Sequence, residues 1–366
     1  MFVKITEKKD SSYILFDGYR TRKASCDADL SKGEIVFLEG KKAIDLDSAI
    51  KARIMDIPGM HEVCKTLIKA MLEGKQIFLR HHADADGICG ALSLERVLPV
   101  KMRLQSRRPA YDDSVLREMG MMQNGLVVLI DHGSTPDSLF ALQVLEEAGI
   151  DYCIIDHHRP VARELSQQVN SEEYTAGMLA FEIAQVINPT EDYTLPAISG
   201  IGDKSPVRIY ADKCGKNDEE LKQYALALDF MAFMGGKSYL QIIRNKGLAR
   251  TMALEAEDRI NVFLASAEIK EEKIGDVTAV KVDLQGLERR FPNAGKIVGH
   301  LLTRYEEAFV MGVLEDHIII RSNAGPDIQA IVEKLELNGG GHARAGTIHF
   351  ESGRSELIIK RIKGLF

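Results

Sequence analysis

Between residues 60 and 205 the chain alternates apolar strands with helical segments, and each predicted strand ends in acidic or imidazole side chains. The strand-like segments are KQIFLRHHADADG, LVVLIDHG and DYCIIDHH. Helical patterns such as PDSLFALQVLEEAG separate them at roughly 25-residue spacing, which predicts βαβ units and a parallel sheet. In such sheets a functional site lies at the carboxyl ends of the strands. The candidate side chains there, in chain order, are His82, Asp84, Asp86, Asp131, Asp156, His157, His158 and Asp203.

The first of these segments has ligand-type residues at every second position. If the strand from Ile77 continues through Asp86, period-two geometry places His82, Asp84 and Asp86 on one face at its carboxyl end. A single carboxylate after a strand is usually a helix cap or a turn residue. Four such ends in one α/β domain are not explained by capping alone. Because burying several carboxylates together is prohibitive without a cation, the pattern predicts a metal cluster.

The ligand types also indicate which metal is bound. Carboxylate and imidazole donors without a thiolate favour Mn²⁺ or Mg²⁺ over Zn²⁺, Fe²⁺ or Co²⁺. Six or more ligands exceed what one ion takes from protein while keeping open positions, so we expect two ions ~3.5–4 Å apart with one bridging carboxylate. Such a pair activates a water and holds both the attacking and the leaving oxygen of a phosphoryl displacement.

Length and composition limit the other function classes. The 366 residues are too many for one average core, so two or three domains are expected. A net charge of −7 argues against non-specific coating of nucleic acid, though not against a local basic groove. Five scattered cysteines without a CxxC pair favour a reducing, intracellular setting. The absence of a signal-peptide pattern and of a run of about 18 apolar residues predicts a cytoplasmic protein with no membrane partner.

The fold class expected from this pattern is α/β, in four parts. Residues 1–55 form a small β-rich domain, which is either a barrel that guides a ligand or a purely structural element. Residues 56–214 form the parallel-sheet catalytic domain, and 215–270 are a helical connector. Residues 271–366 return to mixed strands and helices and form a second, smaller α/β domain.

The motifs HADADG, IDHG, IDHHRP and GIGD, followed by GGGHARAGT, occur in one order along the chain. This ordered set resembles the DHH phosphoesterase superfamily, whose triad stands here as Asp156-His157-His158. The form DADG is similar to the RecJ-like nuclease branch, particularly its archaeal members. The resemblance runs from about residue 60 to the end and implies a DHH domain followed by a DHHA1-type substrate-binding domain.

The resemblance also implies roles for particular residues. Asp156 is implied as a catalytic or ligand-orienting residue, and His158 as a group that faces the scissile phosphate or supports the ligands. In other branches a histidine stands four residues before the first Asp of the DxD pair, but here that position is Arg80. His82 has to take its place, and His81 is expected to point the other way. The implied metal ligands are His82, Asp84, Asp86, Asp131, His157 and Asp203.

The glycine run in NGGGHARAGT is the candidate phosphate site. Consecutive glycines let backbone N–H groups approach an anion, and a following helix would add its dipole. The alternative is a glycine-rich turn between a helix and a strand. The resemblance implies a clamp on the substrate phosphate that closes across an interdomain cleft. Its candidate residues are Gly340, Gly341, His342 and Arg344, with Arg321 as a further one.

A basic and aromatic segment, QSRRPAYDD, follows the first strands of the predicted sheet. Arg107, Arg108 and Tyr111 could neutralise phosphates and stack a base, or they could be a solvated charge run.

Together these observations predict metal-dependent phosphodiester hydrolysis, with exonucleolytic cleavage of single-stranded DNA or RNA as the leading activity. Two alternatives remain open. One is hydrolysis of short oligonucleotides or cyclic dinucleotides by the same chemistry. The other is a weakly active, nuclease-like subunit whose partners are replication or repair proteins, although an intact ligand set argues against it.

Overall fold

The chain forms two compact units, Met1–Asp229 and Phe230–Phe366. The predicted division into four domains stays a prediction. The computed structural model describes residues 1–9, 12–106, 122–135, 138–160, 167–287 and 291–366.

The N-terminal part of the first unit is a five-stranded antiparallel sheet. Its strands are β1 (Phe2–Lys9), β2 (Ser12–Phe16), β3 (Thr21–Ala24), β4 (Ile35–Glu39) and β5 (Lys42–Asp45). They lie in the order β3-β2-β1-β4-β5. One face encloses a small core around Val3, Ile5 and Leu15. On the other face Phe2 packs into the main core of the first unit.

The main sheet of the first unit is entirely parallel. Its strands are β6 (Ile77–His82), β7 (Val100–Ser106), β8 (Leu126–Ile130), β9 (Asp151–Asp156) and β10 (Gln168–Asn170). The order β10-β9-β8-β6-β7 places β6 between β8 and β7. The carboxyl ends of β6 and β8 therefore form the topological switch point, where α/β sheets bind ligands. The parallel sheet was predicted, but β7 and β10 were not predicted as strands.

Helices cover both faces of this parallel sheet, as its apolar strands require. Side chains such as Leu79, Val128 and Ile155 pack on one face, and Phe78, Val127, Leu129 and Ile154 on the other. The helices are α1 (Leu46–Lys51), α2 (Met60–Glu73), α3 (Ala85–Glu95), α4 (Leu139–Glu147), α5 (Ala176–Ile187), α6 (Thr194–Gly202) and α7 (Ile209–Lys213).

Three helices follow, as the helical pattern after residue 215 predicts. They are α8 (Asp218–Phe233), α9 (Tyr239–Arg244) and α10 (Lys246–Ser266). The division between the two units falls inside α8, after Asp229. None of the helices in the described ranges is both long enough and apolar enough to cross a bilayer.

The second unit contains a six-stranded mixed sheet in the order β11-β12-β13-β14-β16-β15. Its strands are β11 (Ile269–Ile274), β12 (Val277–Asp283), β13 (Ala308–Val313), β14 (His317–Ser322), β15 (Asn338–His342) and β16 (Ala345–His349). Its helices are α11 (Ala294–Leu302), α12 (Ile328–Lys334) and α13 (Ser355–Lys363). The glycine run is therefore an edge strand that pairs with β16, and no helix follows it directly. The α/β fold class is confirmed.

Candidate metal centre

The DADG segment is a sharp strand-to-helix turn. Strand β6 ends at His82, and Asp84 caps helix α3 by accepting a hydrogen bond of 3.1 Å from the Gly87 amide. A Cβ atom at Gly87 would lie 2.5 Å from the carbonyl oxygen of His82, so this turn requires glycine. The predicted period-two arrangement of the three ligands is therefore wrong, because only His82 lies in the strand. The turn nevertheless brings Asp84 Oδ2 to 2.7 Å from His82 Nδ1.

Asp86 lies in the first turn of α3 and is completely buried. One carboxylate oxygen accepts hydrogen bonds from the Gly177 amide at 2.7 Å and the Ser199 hydroxyl at 2.5 Å. The other accepts one from the Ala176 amide at 3.0 Å. Burial raises the pKa of Asp86 well above its ordinary value, and the neighbouring Asp131 carboxylate adds to the rise. The N-terminus of α5 therefore holds a carboxylate that is costly to keep charged without a cation.

Asp131 stands between the two halves of the site. It follows strand β8 with a φ of 61°, a left-handed backbone conformation that few non-glycine residues adopt. Its Oδ2 lies 3.3 Å from His82 Nδ1, and its Oδ1 lies 3.3 Å from His157 Nε2. Both oxygens are buried, and neither has a hydrogen-bond partner within the described part of the chain. Burial, reinforced by the Asp84 charge, raises the pKa of this carboxyl.

His157 extends the cluster to the other side of Asp131. Its Nε2 lies 3.3 Å from Asp203 Oδ2 and 3.7 Å from Asp86 Oδ2. Asp203 is positioned by α6, which it follows directly. Burial lowers the pKa of His157, but the carboxylates of Asp131 and Asp203 outweigh it and raise that pKa well above the ordinary value. Among the described residues, Nε2 of His157 has no hydrogen-bond partner, although it is buried.

These distances define two ligand groups, and the Asp131 carboxylate of the first also lies 3.3 Å from His157 of the second. His82, Asp84 and Asp131 bring one ligand atom each to within 4.8 Å of one another, and so do Asp86, His157 and Asp203. A third such group joins Asp131 to both histidines of the DHH triad. The buried, unpaired oxygens of Asp131 and the concentration of hard donors fit divalent cations of the Mn²⁺ and Mg²⁺ type. The residues present therefore fit a two-ion centre.

Asp156 differs from the other carboxylates because protein donors already occupy it. Its Oδ1 accepts hydrogen bonds from the His157 amide at 2.8 Å and the His158 amide at 3.2 Å, and lies 2.8 Å from His158 Nδ1. Its Oδ2 accepts one from the Ser134 amide at 3.0 Å. Burial raises the pKa of Asp156, but the His158 imidazole and these hydrogen bonds outweigh it and hold that pKa well below the ordinary value. This geometry suits a residue that orients others.

His158 is the more accessible member of the triad, with 36% of its side chain exposed. Its Nδ1 lies 3.8 Å from Asp131 Oδ1, beside the shared carboxylate. His81 and Arg80, by contrast, are buried in β6. Nδ1 of His81 lies 2.6 Å from the His82 carbonyl oxygen, and burial lowers the pKa of His81 to about 4. His82 contacts the carboxylates, as the resemblance requires.

Several positioning residues were missed by sequence reasoning. Asp229, on α8, accepts a hydrogen bond of 2.8 Å from the amide of Ala85 in the metal loop. Asn170 donates one of 2.7 Å to the His158 carbonyl oxygen, and Ser199 holds Asp86 as described above. These residues act on backbone atoms or on an already placed carboxylate from distant segments. No spacing pattern in the local sequence predicts these residues.

The predicted phosphate-binding residues belong to the second unit. Gly340 and Gly341 lie in edge strand β15, whose last residue is His342. A Cβ atom at Gly340 would have nothing within 4 Å. The guanidinium of Arg321 donates a hydrogen bond of 2.9 Å to the Ile320 carbonyl oxygen, and that of Arg344 donates one of 3.3 Å to the Gly325 carbonyl oxygen. Arg107, Arg108 and Tyr111 lie outside the described residues.

Residues 76–201, which contain most of this centre, match the family model for the DHH family, N-terminal domain. This segment of the chain is therefore a DHH-family N-terminal domain. The uncharacterized protein MJ1198 of Methanocaldococcus jannaschii is 27% identical over 430 aligned positions. That match covers 87% of this chain and 55% of MJ1198, so the chain spans about half the length of this curated relative.

Solved structures share the fold of the DHH chain. The DHH domain of PF0399, which is described as a member of a family of ribosomal proteins, matches with a TM-score of 0.73 and 25% identity, covering 86% of this chain and 95% of that one. RecJ of Thermus thermophilus in complex with Mn²⁺ matches with a TM-score of 0.62 and 17% identity, over 85% of this chain and 55% of RecJ. An exonuclease RecJ bound to manganese matches with a TM-score of 0.57 and 18% identity, over 85% and 94%. The resemblance to the DHH superfamily and to a RecJ-like fold is confirmed, and the archaeal type stays a prediction.

Proposed function

We propose that this DHH chain is a two-metal phosphodiesterase that removes nucleotides from single-stranded DNA or RNA. The observation that carries the proposal is Asp131, whose two buried carboxylate oxygens face His82 and His157 at 3.3 Å each. A carboxylate that contacts two neighbouring ligand groups fits the paired metal ions of phosphodiester hydrolysis. Hard oxygen and imidazole donors favour Mn²⁺ or Mg²⁺. The Mn²⁺ in the RecJ structures supports this choice.

Each ligand group of the proposal holds one ion. His82 and Asp84 would hold one ion, Asp86, His157 and Asp203 would hold the other, and Asp131 would be available to both. When bound, the ions supply a water of lowered pKa and stabilise charge on the phosphate. The chain keeps the ligands in place through donors that do not touch the ions, such as the α5 amides on Asp86.

Asp156 and His158 serve the reaction without binding metal in this proposal. The 2.8 Å contact of Asp156 Oδ1 with His158 Nδ1 fixes the imidazole and makes Nδ1 the protonated nitrogen. Burial lowers the pKa of His158, but the Asp156 carboxylate outweighs it and raises that pKa, which favours the imidazolium with a second proton on Nε2. The partly exposed ring presents this Nε2–H to the substrate, where it donates a hydrogen bond to a phosphate oxygen or protonates the leaving oxygen. Asp156 is the positioning residue for this imidazole.

The glycine-rich edge strand supplies the proposed grip on the substrate phosphate. Glycines such as Gly340 allow the backbone to approach an anion closely, Arg344 is the candidate donor, and His342 is the donor that the resemblance implies. Arg321 is a further candidate on strand β14 of the same sheet. A grip of this size holds one or two phosphates, so longer strands need contacts elsewhere on the chain.

The test is a length series of labelled single strands, from dinucleotide to dodecamer, incubated with Mn²⁺ and analysed for mononucleotide release. We expect kcat/KM to rise with length over the first several nucleotides and hydrolysis to stop in excess chelator. Asp131→Asn is the inactive control. Asp45→Asn is the matched control, because Asp45 caps helix α1 by accepting from the Ser48 amide at 2.9 Å. Efficient cleavage of dinucleotides with no gain on longer strands would instead support the small-substrate hydrolase.

A further inference from the structure

The N-terminal sheet has the strand connectivity of a five-stranded OB-type barrel that is open along one seam. Its order, β3-β2-β1-β4-β5, becomes a closed barrel when β3 meets β5. Residues beside these two strands already touch. The Asp27 amide donates a hydrogen bond of 3.0 Å to the Lys41 carbonyl oxygen, and the Cys26 thiol donates one of 3.1 Å to the same oxygen. The sheet is therefore curled so that its two edges approach each other.

Strand β1 takes part in both halves of the curled sheet. Its first residues pair with β4, its later residues pair with β2, and Lys4 pairs with both, opposite Phe16 and Ile35. A register shift between Ile5 and Glu7 accompanies the change of partner. Bulges of this kind bend a strand and increase its twist. The bend lets β1 pair with β2 on one side of the small barrel and with β4 on the other.

Two apolar side chains of β2 are left out of both neighbouring cores. Tyr13 and Leu15 point into the small core of the N-terminal sheet. Ile14 and Phe16 alternate with them, lie on the opposite face and remain partly exposed. Neither belongs to the core of the curled sheet or to the main core of the first unit.

Two lysines flank these side chains. Lys4 lies opposite Phe16 on β1, and Lys23 lies opposite Ile14 on β3. Directly opposite residues of antiparallel strands share a face, so the four side chains form one strip, and Glu7, which also lies opposite Ile14, is paired with Lys9 at 3.6 Å. Within the described residues neither lysine has a carboxylate partner, whereas Lys8 is paired with Asp29. The turn after β2 adds Tyr19, which is 60% exposed.

We propose that this outer strip, Lys4, Ile14, Phe16 and Lys23, binds single-stranded nucleic acid. The strip lies on strands 1 to 3 of the barrel, the region that includes the strand 2–3 face on which OB-type barrels take oligonucleotides. Phe16 offers a ring on which a base stacks, and the unpaired lysines neutralise phosphates on either side of it. The inference rests on the proposed function, because it needs a nucleic-acid substrate at the metal centre. The strip would bind the nucleotides of that substrate that lie beyond the metal centre.

The experiment measures binding without catalysis. The full-length chain is titrated in EDTA against fluorescein-labelled 12-nucleotide single strands of DNA and of RNA, with fluorescence anisotropy as the readout at several salt concentrations. The variants are Phe16→Ala, Phe16→Leu and the double variant Lys4→Gln/Lys23→Gln. The charge-matched control is Lys32→Gln/Lys51→Gln, at two exposed lysines outside the strip.

Loss of two phosphate contacts should reduce the slope of log K against log salt by about 1.4 in the double variant. Loss of one stacked base should weaken binding at least about 5-fold in Phe16→Ala. Phe16→Leu keeps an apolar side chain for packing and should lose a similar amount if the ring stacks on a base. The control should match the unmodified chain. Comparison of the DNA and RNA titrations shows which nucleic acid the strip binds more tightly.

Unchanged affinity and slope in folded variants would overturn the proposal. Hydrolysis of a dinucleotide in Mn²⁺ tests the proposed function independently of binding by the strip. If the strip alone is affected, dinucleotide hydrolysis by the variants stays within about twofold of the unmodified rate, since a dinucleotide does not reach beyond the metal centre. A chain that binds strands through the strip but hydrolyses no phosphodiester would support the strip and refute the proposed function.

Discussion

The carboxylate of Asp229 accepts a hydrogen bond of 2.8 Å from the backbone amide of Ala85, a residue 144 positions earlier in the chain. Both residues are buried. Ala85 stands between Asp84 and Asp86, so one side chain of helix α8 fixes the turn that carries two candidate metal ligands. The geometry of the metal loop therefore depends on a helix that lies outside the region matched by the DHH family model.

Removal of the Asp229 carboxylate should weaken metal binding without removing a ligand. We expect Asp229→Ala to lower Mn²⁺ affinity about 10- to 100-fold, the usual effect of losing a residue that orients ligands. Asp229→Asn keeps an acceptor for the Ala85 amide and should recover most of that loss. Calorimetric titration with Mn²⁺ measures both. The control Asp45→Ala removes the cap of helix α1 and should bind Mn²⁺ with normal affinity. Normal Mn²⁺ affinity in Asp229→Ala would show that Asp229 does not position the metal ligands.

Asp131→Asn should stabilise the metal-free protein while abolishing the shared ligand. Its carboxylate is buried beside other acidic groups, and this burial raises its pKa although the His82 and His157 imidazoles face its oxygens at 3.3 Å, so the charge opposes folding until a cation binds. Asparagine also tolerates the positive φ at this position. We expect a higher urea midpoint in chelator and a loss of at least ~10²-fold in turnover. A lower midpoint would show that the carboxylate is satisfied in the metal-free state.

Asp156→Asn should behave in the opposite way. This carboxylate accepts hydrogen bonds from the amides of Ser134, His157 and His158 and contacts the His158 ring. Asparagine replaces one acceptor oxygen with an amide donor, which leaves a buried donor facing other donors. We expect a loss of about 1–3 kcal/mol in the free energy of unfolding, measured in urea with chelator present. A variant as stable as the unmodified protein would show that these hydrogen bonds contribute little.

Gly177→Ala should disturb the metal centre by steric means. A Cβ atom there would lie 2.6 Å from Ser199 Oγ and 2.8 Å from Asp86 Oδ1, so Asp86 must move. We expect weaker Mn²⁺ binding and lower thermal stability. Gly299→Ala is the matched control, because a Cβ atom there meets nothing within 4 Å. Inside helix α11, alanine should stabilise the helix by about 0.5–1 kcal/mol relative to glycine. Equal effects of both substitutions would argue against a specific role for Gly177.

Addition of Mn²⁺ should stabilise the protein, because only the folded chain assembles the two ligand groups. At a free concentration 100 times the dissociation constant, one site adds about 2.7 kcal/mol. We expect a rise in Tm that reaches saturation, with two ions bound per chain, and its complete reversal by EDTA. Asp131→Asn should lose most of the rise. Binding of a single ion, with the same Tm shift in Asp131→Asn, would refute the shared-ligand arrangement.

The position of the site could be predicted from the sequence because its determinants are local. Apolar strands alternating with helices imply a parallel sheet, and a parallel sheet brings the carboxyl ends of its strands to one edge. Asp131, Asp156 and His157 therefore had to lie near His82 whatever the details of packing. A local error concerned Asp84 and Asp86, which were assigned to a strand although Gly87 permits a tight turn into α3.

By itself the sequence determined the α/β class, the edge of the sheet where the candidate site lies and the kinds of side chain gathered there. Only the tertiary structure decided that Asp131 joins the two ligand groups, that Asp229 and Ser199 hold the metal loop and Asp86, and that the glycine run is an edge strand. The register of the N-terminal strands, which pairs Lys4 with Phe16, likewise could not be predicted from the sequence. The physical reason is that these features depend on contacts between distant segments, and such contacts leave no periodicity or spacing in the sequence.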